Sequence, residues 1–183
     1  MEYLYELRIP KDRIAVLIGK EGKIKKEIEA ETKTKIDVDS KEGDISLSGE
    51  DALGLYSARE VIKAVGRGFN PEIALLLLKS DYVFELIDLK EVAGKSKDML
   101  LRIKGRIIGA EGKTRRLIEE LSESYVCVYG KTISIIGLPE SASVAREAIE
   151  KLLRGSPHST VYKFLEKKRR ELKRARFIGR DLK

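Results

Sequence analysis

The 183-residue chain is basic, with 37 Lys and Arg against 30 Asp and Glu and a formal charge of +7, which favours a polyanionic partner. One cysteine, Cys127, excludes an internal disulfide and fits a reducing compartment; in mid-strand it is expected buried and inert. The longest apolar run, residues 73–78, falls far short of the ~20 residues a membrane span needs, and residues 1–3 lack signal-peptide character, so a cytoplasmic protein is expected.

Elements follow from periodicity. Tyr3, Tyr5 and Leu7 alternate with Glu2, Leu4 and Glu6, which predicts a strand. Pro10-Lys11-Asp12 opens a short helix that stops at Gly19. A second helix is predicted over residues 23–33, with Ile24 and Ile28 at i, i+4. Residues 35–39 and 45–48 alternate as two strands joined at Gly43-Asp44. Leu55, Ala58, Ile62 and Val65 then stripe a longer helix, so the order is β-α-α-β-β-α.

Residues 67–80 form a linker with its own helix: Asn70 is a suitable N-cap, Pro71 sits at N1, and a block of leucines follows. Such an apolar linker is expected to bury itself between two domains and set their angle. The first order of elements then recurs. Residues 82–89 predict a strand, 99–108 and 115–122 two helices, and 125–129 and 132–136 paired strands joined at Gly130-Lys131. Ala142, Ala145, Ile149 and Leu152 stripe the last helix of the repeat.

A shift of 90 residues carries Gly19, Glu21, Gly22, Lys23 and Ile28 onto Gly109, Glu111, Gly112, Lys113 and Ile118, and Ile36 and Val38 onto Val126 and Val128. Both copies thus hold a Gly-x-x-Gly loop, Gly19-Lys20-Glu21-Gly22 and Gly109-Ala110-Glu111-Gly112, between two helices. Glycines there let the backbone turn sharply, and the amides of the next helix can face a phosphate.

With these loops in this element order, the chain resembles a tandem of two type I KH domains, over about residues 1–66 and 81–155. The resemblance implies an α+β fold, in which a three-stranded antiparallel sheet packs on helices. It also implies that each loop clamps about four nucleotides of a single strand while the bases lie in an apolar groove. The segment Pro157-His158-Ser159-Thr160-Val161-Tyr162-Lys163-Phe164-Leu165-Glu166 and the basic stretch after it are similar to a narrower family. Its members are the archaeal counterparts of the small-subunit assembly factor known as partner of Nob one. That resemblance implies binding near the 3′ end of small-subunit rRNA, beside an endonuclease or a translation or assembly factor. Scarce Asn and absent Gln lean towards a heat-adapted source. An exosome cap subunit would need a further RNA-binding barrel. A protein-binding scaffold would not need intact glycines in both loops.

The candidate RNA-binding residues are Gly19, Lys20, Glu21, Gly22 and Lys23 in the first copy. In the second they are Lys104, Arg106, Gly109, Ala110, Glu111, Gly112, Lys113, Arg115 and Arg116. The second set is richer in arginine, which pairs bidentately with phosphate, and is expected to be the stronger site. Against it, Ala110 replaces the basic residue that Lys20 supplies in the first loop, and a glutamate sits in both loops.

Residues 163–183 hold ten Lys and Arg against three Asp and Glu, a surplus equal to the whole net charge. Ser156-Pro157 marks a helix start there, with Val161, Leu165 and Leu172 as a thin apolar seam. A solvated helix docked on a domain is one reading; a basic helix reaching RNA phosphates is the favoured one.

No enzyme chemistry is expected. Gly-Lys-Thr at 112–114 lacks the P-loop glycine five positions earlier, where Ile107 stands. The lone histidine, His158, forms neither a metal cluster nor a triad, and a capping or packing role near the tail helix is expected of it. No catalytic residue, metal or cofactor is predicted.

Overall fold

The computed structural model describes residues 2–181, and its contacts divide the chain into two compact units that meet between Phe84 and Glu85. In the first unit β1 (Tyr3–Arg8) precedes α1 (Lys11–Ile18), α2 (Lys23–Thr32), β2 (Lys35–Val38), β3 (Asp44–Gly49) and α3 (Ala52–Gly66). The sheet is antiparallel in the order β1-β3-β2, with Tyr3 opposite Gly49 and Arg8 opposite Asp44. Between β2 and β3 the chain reverses at Gly43 (φ 83°), whose carbonyl accepts from Ile9 N at 3.1 Å. A Cβ at Gly43 would meet that same Ile9 backbone. Asp51 caps α3, its carboxylate accepting from Leu53 N at 3.0 Å.

In β2 and β3 the alternating residues bury one face, whereas in β1 Tyr3 is exposed and Tyr5 and Leu7 are half-buried. Ile36, Ile45 and Leu47 of the sheet, Leu17 and Ile28 of α1 and α2, and Ala58, Ile62 and Val65 of α3 are fully buried. Each such Ile, Leu or Val contributes ~1.5–3 kcal/mol relative to an exposed one. The linker forms a single helical turn, α4 (Pro71–Ala74), continued by a tighter turn over Leu75–Leu78. It packs on α3 and α2 within the first unit.

From β4 (Val83–Asp88), within which the division falls, the second unit continues through α5 (Lys90–Ala93), α6 (Lys97–Ile108), α7 (Lys113–Ser122), β5 (Tyr125–Tyr129), β6 (Thr132–Gly137), α8 (Pro139–Leu153) and α9 (His158–Asp181). Its sheet order, β4-β6-β5, repeats the first. This is the expected α+β architecture of two type I KH folds followed by a basic helix. Two starts differ from the sequence pattern. Ser96 caps α6, its hydroxyl accepting from Met99 N at 3.2 Å, so the helix begins ahead of its apolar residues. The single turn α5 was not foreseen; it is started by Asp88, whose carboxylate accepts from Lys90 N at 2.9 Å. Cys127 is half-buried on β5 rather than fully buried; of the strand's residues only Val126 is in the core, and Cys127, Val128 and Tyr129 are all half-buried.

The repeat extends to individual hydrogen bonds. Thr32 Oγ1 donates to Ile28 O at 2.6 Å and meets Thr34 Oγ1 at 2.7 Å. Ser122 Oγ donates to Ile118 O at 2.5 Å and meets Ser124 Oγ at 2.7 Å. Glu29 accepts from Ile36 N, and Glu119 from Val126 N, both at 2.8 Å. Lys33 and Glu123 end α2 and α7 in the left-handed conformation (φ 53° and 58°). These bonds fix each second helix against the strand that follows it, and so fix where its N-terminus points.

Candidate nucleic-acid interface

The two Gly-x-x-Gly loops share one backbone conformation. Gly19 lies at φ 72°, ψ 176°, Glu21 at 55°, 27° and Gly22 at 74°, 14°. Gly109, Glu111 and Gly112 lie at 74°, 176°, at 54°, 28° and at 76°, 13°. The first glycine sits in a region open almost only to glycine. A Cβ there would overlap Ile24 in the first copy and Thr114 in the second. The middle glutamate is itself left-handed, and both glutamates are exposed.

Each loop ends at the start of a helix, α2 or α7, whose cap residue is a glycine making no side-chain cap hydrogen bond. The first-turn amides therefore have no side-chain acceptor, and the positive end of the helix dipole adds to them. In each loop the amides of Gly22 and Lys23, or of Gly112 and Lys113, donate to the carbonyls three residues back. What suits the loop to an extended chain of phosphates is therefore its exposed glycine-turned backbone, its rim of lysines and the positive end of the helix behind it.

The cations predicted for this role divide into free and committed groups. Lys20, Lys23 and Lys113 are exposed, and Lys104 is half-buried. Arg116 donates to Glu111 O at 3.0 Å, which braces the second loop from inside its own helix; Lys26 reaches Glu21 O at 3.5 Å in the first. Arg115 pairs with Glu119 at 3.2 Å. Arg106 is bound to the end of α8, donating from Nε to Leu152 O at 3.1 Å and from Nη2 to Ser156 O. Arg13 binds the end of α3 in the same way, through Val65 O and Phe69 O, each at 2.8 Å. The arginine surplus of the second copy is thus partly structural. Arg106 ties α6 to α8, and Arg115 ties α7 to its own next turn.

Sequence reasoning missed a further tie. Tyr162 of α9 shares a 2.9 Å hydrogen bond with Thr114, the residue that packs under Gly109. His158 Nε2 lies 2.9 Å from Arg106 O, three residues before the loop. Since that carbonyl only accepts, Nε2 carries the proton. The lone histidine is therefore a packing residue at the start of α9, as expected. The signal was present in the repeat: Ile24 of the first copy becomes the hydroxyl-bearing Thr114 in the second.

Comparison with known proteins agrees with this geometry. The KH domain family model matches residues 4–64, and a eukaryotic-type KH model of the PNO1 second domain matches residues 83–170, reaching into α9. KH domain-containing protein MJ0443 of Methanocaldococcus jannaschii is 49% identical over 175 residues, 93% of this chain and 76% of that protein. RNA-binding protein pno1 of Dictyostelium discoideum is 31% identical over 88% of this chain and 70% of its own length. The chain belongs to the PNO1/Dim2 family of tandem KH proteins. A solved structure of Dim2p from Pyrococcus horikoshii, in an a/eIF2alpha-aDim2p-rRNA complex, is 48% identical. It covers 93% of this chain and 96% of its own with a TM-score of 0.85. Among the described residues no helix is long and apolar enough to cross a membrane, and no group of three or more His, Cys, Asp or Glu could hold a metal ion.

Proposed function

We propose that the protein binds single-stranded rRNA through its two Gly-x-x-Gly loops and acts in assembly of the small ribosomal subunit, at the maturation of its rRNA 3′ end. The observation that carries this is the shared conformation of the loops, each opening onto a helix start without a side-chain cap. The rRNA in the Pyrococcus complex and the RNA-binding relative support it. The second loop is the principal site. Thr114–Tyr162, Arg116–Glu111 and His158–Arg106 hold it from three sides, so less order has to be created on binding. Gly109 and Gly112 let the loop backbone approach the phosphates, while Lys104 and Lys113 supply charge. Gly19, Lys20, Gly22 and Lys23 do the same in the first loop. Glu21 and Glu111 contribute backbone rather than carboxylate.

The protein works by binding, in the cytoplasm, without turnover of its own. A translation or assembly factor, or a maturation endonuclease, is the partner; the a/eIF2alpha beside the Pyrococcus relative supports the former. Titration of one RNA sequence as single strand and as duplex, at one salt concentration, tests the reading. The single strand binds tighter because the bases must leave the stack to enter a KH groove. Equal affinities sink it.

A further inference from the structure

The last helix carries a feature that the clamps do not use. Helix α9 runs alongside α7 in the same direction: Tyr162 meets Thr114, Arg169 pairs with Glu120 at 3.7 Å, and Arg176 pairs with Glu123. Its seam residues Val161 and Leu165 are fully buried against the second unit. At 100° per residue, Lys163, Lys167, Arg170 and Arg174 line up on the opposite side of the helix. All four are exposed, and none forms an ion pair among the described residues. The acids nearby leave the stripe open. Glu171 pairs with Lys168 at 3.1 Å, and among the residues whose side chains are described Glu166 is the unpaired carboxylate on its flank. The four cations span ~16 Å, about one per helical turn.

We propose that this stripe is a second RNA-binding element that holds the sugar-phosphate backbone of the strand leaving the second clamp, without reading bases. It rests on the clamp reading for its orientation but not for its chemistry. Between Lys163 and Arg174 the stripe has cations at every turn and no apolar residue among them, so this stretch lacks the core a protein interface requires; the exposed Phe177 and Ile178 follow one turn beyond it. It starts beside Tyr162, next to the loop that binds the same polymer. A strand held in the loop therefore presents its continuing phosphates to the stripe at high effective concentration.

The test compares the intact protein, the variant K163Q/K167Q/R170Q/R174Q and the clamp variant A110D/E111D. Each is titrated at several salt concentrations with a short RNA that fills one clamp. The same RNA is then used with an extension long enough to span the stripe, either unstructured or folded as a hairpin. Glutamine keeps helix propensity at these exposed sites, and a melting temperature like the parent's confirms folding. The intact protein binds one or both extended RNAs tighter than the short one, and the better extension shows whether single strand or duplex lies on α9. The stripe variant binds the short RNA like the parent but loses the extension's surplus. Its salt slope falls by ~0.7 per contact, about 3 for four, so fourfold more salt costs the parent about 50-fold more affinity than the variant. A stripe variant that keeps the surplus, or loses affinity for short and extended RNA alike, overturns the proposal. Failure of the parent to bind the short RNA sinks the clamp reading alone. The surplus left in A110D/E111D then judges the stripe by itself, and its absence there overturns the stripe as well.

Discussion

At the scale of single residues, the two glycines of a clamp are not equivalent. Gly109 lies at φ 74°, ψ 176°, and a Cβ there would overlap the Thr114 side chain and come 2.8 Å from its backbone nitrogen. Gly112 is left-handed, yet a Cβ there meets nothing within 4 Å. G112A should therefore cost about 1 kcal/mol, the left-handed penalty alone. G109A should cost about 2–3 kcal/mol or more and shift the start of α7. Thermal melts of both variants check this, and equal losses would show that Thr114 yields to the methyl group. A second residue-scale expectation concerns the end of the first sheet. Arg8 Nε and Nη2 donate to the two oxygens of Asp44 at 2.6 and 3.0 Å. That hydrogen bond, and the charge behind it, hold the Asp44 carboxyl below the usual carboxylate range. The folded value is the lower one, so the pair's contribution is present above the ordinary value of about 3.9 and is lost as pH falls through the folded value. An NMR titration should place the Asp44 midpoint below 3.9. R8Q should return it there.

At the scale of elements, α9 matters as more than a carrier of charge. Its first turn reaches the second clamp through the Tyr162 hydroxyl, and Thr114 is 2% exposed, so it has no water to fall back on. Y162F leaves the ring in place and removes one hydrogen bond, worth about 0.5–1.5 kcal/mol. If the bond positions the loop, RNA affinity should fall two- to tenfold by the same conversion. In the A110D/E111D background, where the clamp is already blocked, the substitution should change nothing further. An equal loss in both backgrounds would assign Tyr162 to general stability. No tie of this kind is formed by Ile24, which holds the corresponding place under the first clamp with an apolar side chain.

At the scale of the whole molecule, the question is how two clamps on one chain share the work. A110D/E111D places an additional carboxylate in the second loop, and K20D/E21D does the same in the first while removing a cation. Aspartate tolerates the left-handed position of the second residue, so both variants should melt like the parent. The braced second clamp should lose the larger share of RNA affinity, measured by titration with one single-stranded RNA. The opposite ranking would mean that Lys20 outweighs three structural ties.

Much of this was legible in the chain. The element order, the glycine pairs and the repeat were readable because each rests on local rules: period two for strands, period 3.6 for helices, and glycine where φ must be positive. Ile36 and Val126, or Ile28 and Ile118, announce their burial by position in such a pattern. The fate of the charges was not legible in this way. Arg106 and Arg116 look alike in sequence, three residues before one glycine and four after the other. Only the folded chain brings Leu152 O and Ser156 O to the first and Glu111 O to the second. Local pattern alone shows two Gly-x-x-Gly loops and a basic helix. Only packing shows which cations are taken up by protein partners, and that α9 supports the second loop. The physical reason is that a guanidinium's partners are carbonyls from distant segments, and their positions are set by packing rather than by any local period.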